Sequence, residues 1–183
     1  VSIASLSPEI KAQTILINGH SKSYAMTGWR IGYAAGPKAV IDAMSAHQSH
    51  ATSNANSVAQ YAAMVALSTG GEIIAGMARE FDERRKLMHS LIESIDGLSA
   101  RLPKGAFYTM VNISGAVGKS LPGGKPIQDS DDFAAQLLDA VKVAVVPGKA
   151  FGAPNHVRLS YATSQEKIRE GMARIASFMA QLG

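Results

Sequence analysis

Short apolar runs bounded by glycine or proline alternate along this chain with longer stretches whose apolar residues recur at helical spacing. That alternation predicts an α/β fold, because the two periods serve different elements. The runs at 14–18 (TILIN), 30–36 (RIGYAAG), 106–113 (AFYTMVNI), 141–146 (VKVAVV) and 157–161 (VRLSY) read as strands. Helices are expected over 38–49, 56–69, 73–95 and 131–140, with a last amphipathic one from Ser164. In the longest, Phe81, Met88, Leu91, Ile92 and Ile95 share a face, Glu80 pairs with Arg84 and Asp82 with Lys86, and Asp96-Gly97 ends the pattern. In VRLSY, Val157, Leu159 and Tyr161 fall on one face and Arg158 and Ser160 on the other. These elements would form a small sheet covered by helices. The composition shifts near residues 70–80, which places a domain boundary between 75 and 76.

A chain of 183 residues with 46% hydrophobic and 17% charged residues can bury a core and is not of disordered composition. Its net charge of +4 is scattered, so no basic stripe suggests a nucleic-acid surface, while an anionic small molecule remains compatible. Without cysteine there are no disulfides or thiolate metal sites. No apolar run approaches the ~20 residues of a membrane helix, and the start lacks the layout of a signal peptide. The expected compartment is therefore the cytoplasm. Val1-Ser2-Ile3 opens the chain with no methionine, which reads as a segment of something longer. Residues 114–126 (SGAVGKSLPGGKP) are a loop by composition, and their GKS is no Walker A element, since Ile113 stands where that motif needs glycine.

One stretch stands apart. Residues 18–37, NGHSKSYAMTGWRIGYAAGP, combine Lys22, Arg30 and Trp29 with four glycines, among which Gly28 and Gly32 would let backbone approach a ligand. A lysine in apolar company is a nucleophile for aldehydes and a base for carbon acids. Arginine is a planar, permanently charged fork suited to a phosphate. Amine for an aldehyde and fork for a phosphate describe pyridoxal phosphate, although spacing alone leaves this as one possibility among several.

SKSYAMTGWRIGYAAGP resembles the cofactor-lysine signature of the class I aminotransferases, which are fold type I pyridoxal phosphate enzymes, and most closely their bacterial aspartate aminotransferase subgroup. GAFY (105–108), VAVVPGKAFG (143–152) and VRLSYATS (157–164) resemble later landmarks of the family, in order, so the likeness covers essentially the whole chain. The resemblance implies the C-terminal part of the large cofactor domain over 1–75 and an α+β small domain over 76–183. It implies that Lys22 carries the cofactor and moves the substrate's α-proton, that Arg30 anchors the phosphate, and that Arg158 grips the α-carboxylate. It also implies transamination between an aspartate-like amino acid and a 2-oxo acid such as 2-oxoglutarate, by a homodimer. The alanine-rich stretch 52–67 is the expected place for the dimer contact, with an ordinary core helix as the alternative.

The chain departs from the family pattern in places. His20 stands where the family has a small or apolar residue; it could reach the cofactor or bond to a neighbouring carbonyl, and the carbonyl is the expected partner. Gly19 replaces a phosphate-binding serine, leaving Ser21 as a weak substitute. His47 and His50 read as a solvated helix face rather than a metal site. The aspartate that pairs with the pyridine nitrogen in the family has no counterpart among the residues before Lys22, so the chain by itself is expected to be inactive. Three other readings stay open: a β-eliminating lyase of the same fold, a cofactor-sensing domain of a transcription regulator, and a remnant with a structural or dimerising use.

Overall fold

Leu16–Gly19 (β1) and Gly32–Ala35 (β2) pair antiparallel, with Leu16 opposite Ala35 and Gly19 opposite Gly32. The glycine at 32 is required by this pairing, since a Cβ there would lie 2.9 Å from the Asn18 carbonyl oxygen. A Cβ on Gly28, by contrast, would meet only open space. The computed structural model describes all residues from Val1 to Gly183, which divide into two compact units, Val1–Met77 and Ala78–Gly183.

In the first unit, Pro8–Ala12 (α1) begins at Ser7, whose hydroxyl accepts a hydrogen bond from the Ile10 N–H at 3.2 Å. Serine as cap and proline at the first position satisfy or remove donors that a helix start leaves orphaned. His20–Ser23 (α2) is a single turn after β1, Lys38–Ala51 (α3) follows β2, and Ser57–Thr69 (α4) starts at Asn56, whose side chain accepts from the Ala59 N–H. Asn56 is therefore a helix cap. Of its apolar residues α4 buries Ala59 and Ala63, leaving Val58, Tyr61, Met64 and Leu67 exposed. Gly71–Glu93 (α5) begins in this unit and carries the boundary between the two.

The second unit is built on a four-stranded antiparallel sheet of order β3-β4-β6-β5: Ser99–Ala100 (β3), Tyr108–Asn112 (β4), Val146–Pro147 (β5) and His156–Ser160 (β6). Ser130–Val141 (α6) and Gln165–Met179 (α7) pack with α5 on its apolar face. Alternation decides which residues go inward: Thr109 and Val111 of β4 and Val157 and Leu159 of β6 are buried. Beneath them lie Ile92, Phe133, Leu137, Ile168 and Phe178, with Phe133 and Phe178 edge to face at 5.6 Å. The Glu80–Arg84 and Asp82–Lys86 pairs form at 2.7 and 2.6 Å. Two backbones nearly touch at one place, where a Cβ on Gly115 would lie 2.4 Å from the Gly97 Cα.

Two expectations are corrected here. There are two sheets, one in each unit, rather than one. The strand expected over 141–146 is mostly absent: α6 runs to Val141, Lys142 closes it in the left-handed conformation (φ 57°), and pairing starts at Val146. Val143 and Val145 pack against the core without a ladder, so their alternation served burial and not pairing.

Asp129 caps α6 by accepting from the Asp131 and Asp132 N–H groups, and its other oxygen takes the Lys149 ammonium at 2.7 Å. Lys149, and after it the Asp132 N–H, holds the Asp129 carboxyl below the usual carboxylate range. A depressed value means that the contribution is present above the unfolded pKa of about 3.9 and is lost as pH falls through the folded value. Acid unfolding of this unit should accordingly be shallower below about pH 4 in Asp129→Asn than in the parent. Denaturation midpoints measured across that range check it; identical slopes would remove Asp129 from the account.

Candidate active site

The residues between β1 and β2 fold back on themselves. The His20 N–H bonds to the Ile31 carbonyl, the Tyr24 N–H to the His20 carbonyl, and a 3₁₀ turn, Thr27–Trp29, leads into Arg30. Met26 and His20 are buried beneath this turn, at 8% and 2% exposure. Tyr24 leans on Gly70, where a Cβ would come within 2.8 Å of the ring. Lys22 and Arg30 are exposed, and so is Trp29 beside Arg30, at 47%. The apolar enclosure expected around Lys22 is therefore not found in this chain, where Met26 instead lines a cleft with Val65, Ala66 and Ile73.

Arg30 holds a left-handed backbone (φ 50°), and its Nη1 donates to the Thr27 carbonyl at 2.9 Å. This bond fixes the guanidinium against its own turn while leaving further N–H groups for an anion. His20 does not bond to a carbonyl as expected. Both ring nitrogens are without partners, and the imidazole lies 5.2 Å from the Tyr24 ring and 5.5 Å from that of Tyr33. Aromatic packing takes the place of a hydrogen bond there. Ser21 is half-buried, and His47 and His50 are exposed on α3.

Arg158 belongs to the second unit, half-buried on β6 opposite Met110 and Val146. Its Cζ lies 4.3 Å from the centre of the Tyr108 ring and 4.8 Å from that of Phe151. Sequence reasoning passed over both aromatics. Tyr108 was within reach of it, being a diagonal cross-strand neighbour once β4 and β6 are paired. Phe151 comes from a 3₁₀ turn, Lys149–Phe151, which has no period to read.

The family model for aminotransferase class I and II matches residues 1–175. The chain belongs to this family. Among its relatives, the aspartate aminotransferase of Geobacillus stearothermophilus is 49% identical over 179 residues, covering 98% of this chain and 44% of the relative. An aspartate/prephenate aminotransferase of Cereibacter sphaeroides is 48% identical over 179 residues, covering 98% of this chain and 45% of the relative. The crystal structure of the aspartate aminotransferase from Rhizobium meliloti superposes with a TM-score of 0.94 at 46% identity, over all of this chain and 46% of that one. The chain thus spans under half the length of the relatives it matches. The fold is that of the class I aminotransferases, which are pyridoxal phosphate enzymes.

The donor set fits that cofactor. An exposed primary amine on a one-turn helix and a turn-fixed guanidinium lie in the same folded-back stretch, suited to an aldehyde and a phosphate respectively.

Proposed function

We propose that the protein carrying this chain is a pyridoxal phosphate-dependent aminotransferase, exchanging the amino group of aspartate with a 2-oxo acid such as 2-oxoglutarate. The observation that carries the reading is the exposed pair Lys22, on the one-turn α2, and Arg30, braced against the 3₁₀ turn that follows, both between β1 and β2 within the matched family region. Aspartate is favoured because relatives at 44 to 49% identity are named for it, and prephenate is the second substrate class, since one at 48% is named for both.

The bound cofactor supplies an electron sink for the substrate's α-carbon. Lys22 would hold the cofactor through its primary amine, which is suited to an aldehyde, and would take the substrate's α-proton. The Arg30 guanidinium would hold the phosphate, and Arg158 would receive the α-carboxylate as a planar fork. On this reading Val1–Met77 is part of the large cofactor domain and Ala78–Gly183 the small domain. The protein works as a cytoplasmic homodimer, with the exposed apolar side of α4 as the contact with the second copy. No single helix is long and apolar enough to cross a membrane.

The chain by itself is inactive on this reading. The carboxylates of its first unit are Glu9 on α1, Asp42 on α3 and Glu72 on α5, none of them within the stretch between β1 and β2 that carries Lys22 and Arg30. Borohydride reduction of the chain mixed with pyridoxal phosphate, followed by peptide mass mapping and an amino-group exchange assay, tests both statements. Selective labelling of Lys22, lost in Lys22→Ala, with no exchange above background, is the expected result. Labelling scattered over all lysines would overturn the assignment of Lys22, and exchange at the rate of a complete relative would overturn the inactivity.

A further inference from the structure

Arg158 is a half-buried cation with no hydrogen-bond acceptor and no carboxylate on its guanidinium anywhere in the chain. Buried or half-buried guanidinium groups ordinarily find an anion or several carbonyls. Here two aromatic rings take that place, Tyr108 at 4.3 Å and Phe151 at 4.8 Å from Cζ. An aromatic face attracts the cation as a whole without consuming the N–H donors as an acceptor would. The rings therefore hold the group in place and leave its fork unspent.

Both rings are themselves anchored. Tyr108 stands on β4 diagonally across from Arg158 and packs against the Phe107 ring at 4.3 Å. Phe151 ends a short turn that is tied at several points: the Gly148 N–H bonds to the His156 carbonyl, the Lys149 N–H to Ser130 Oγ, and the Lys149 ammonium to Asp129. Gly148 seats this turn closely, since a Cβ there would lie 2.4 Å from the His156 oxygen. Tyr108 and Phe151 are themselves 37% and 54% exposed, so the cluster lies at the surface of its unit.

We propose that Tyr108 and Phe151 are the positioning residues of a carboxylate clamp, holding the Arg158 guanidinium in one orientation with its donors unspent for a bidentate carboxylate. This rests on the reading of Arg158 as the substrate's carboxylate partner. The arrangement favours a planar carboxylate, whose two oxygens match two parallel N–H groups.

Arginine-labelled chain Val1–Gly183, titrated with sodium acetate against sodium chloride in an NMR experiment, tests it. In the parent, the Arg158 Nε–Hε signal should show ring-current displacement and move saturably with acetate but not with chloride. In the double variant Tyr108→Leu/Phe151→Leu the displacement should vanish and the acetate dissociation constant rise about fivefold. Tyr108→Phe, which keeps the ring, should behave as the parent. Because both side chains lie outside the buried core, the core amide signals should be unchanged in all variants. If the double variant binds acetate as tightly as the parent, the rings are only structural and the proposal is overturned while Arg158 keeps its role. If acetate fails to move the Arg158 signal in the parent, or moves other signals equally in Arg158→Leu, the reading beneath it falls as well.

Discussion

Replacing Lys22 with alanine in the complete enzyme should lower the amino-group exchange rate by about a thousandfold or more, the range over which a positioned acid–base group contributes. The size of the effect follows from the surroundings of the residue. The first unit holds two other lysines, Lys11 on α1 and Lys38 on α3, and Lys38 is engaged by Asp42 at 2.7 Å. Neither lies between β1 and β2, the stretch that carries Lys22 and Arg30. Lys22→Arg should be nearly as inactive, since a guanidinium stays protonated and neither captures an aldehyde nor accepts a proton. Folding should be unaffected because the side chain is exposed. Single-turnover kinetics with aspartate, alongside circular dichroism, measure both quantities. A loss below about tenfold with intact folding would remove Lys22 from the chemistry.

The largest stability effect is expected from Phe178→Ala, at about 3–5 kcal/mol. Phe178 is fully buried on α7 and meets Phe133 of α6 edge to face, so its loss both opens a cavity and removes a directional ring contact. Domains of this size have total stabilities of roughly 5–15 kcal/mol, which makes the change severe. Urea unfolding of parent and variant measures it. A difference under about 1 kcal/mol would mean that α6 and α7 close over the gap, contrary to the tight packing around Phe133.

Particular residues show how far the sequence could be read. The helical spacing of Met88 and Ile92 put them on the buried face of α5, while Ile95, expected on the same helix, is buried just past its end at Glu93; alternation sorted Val157, Leu159 and Tyr161 from Arg158. Both signals are local and periodic, and burial enforces them. The same alternation misled at Val143 and Val145, which reach the core from an unpaired segment. Periodicity reports which side chains are inward, whereas strand pairing depends on a partner elsewhere in the chain. At the candidate site the motif carried Lys22 and Arg30, yet it could not show that Lys22 would be exposed or that His20 would lie against two tyrosines. Those facts depend on which way a short irregular turn rolls, and no residue spacing encodes that.

The near-contact of Gly97 and Gly115 bears on how this protein can be altered. Their backbones leave no room for a side chain at 115, and Gly97 itself needs a left-handed conformation (φ 82°) that other residues resist. Neither position contributes a functional group. A library randomised across the second unit would therefore return glycine at both, whatever substrate was selected for, while exposed positions away from the seam and from the Arg158 cluster varied. The seam is a stationary reference against which new specificities could be built.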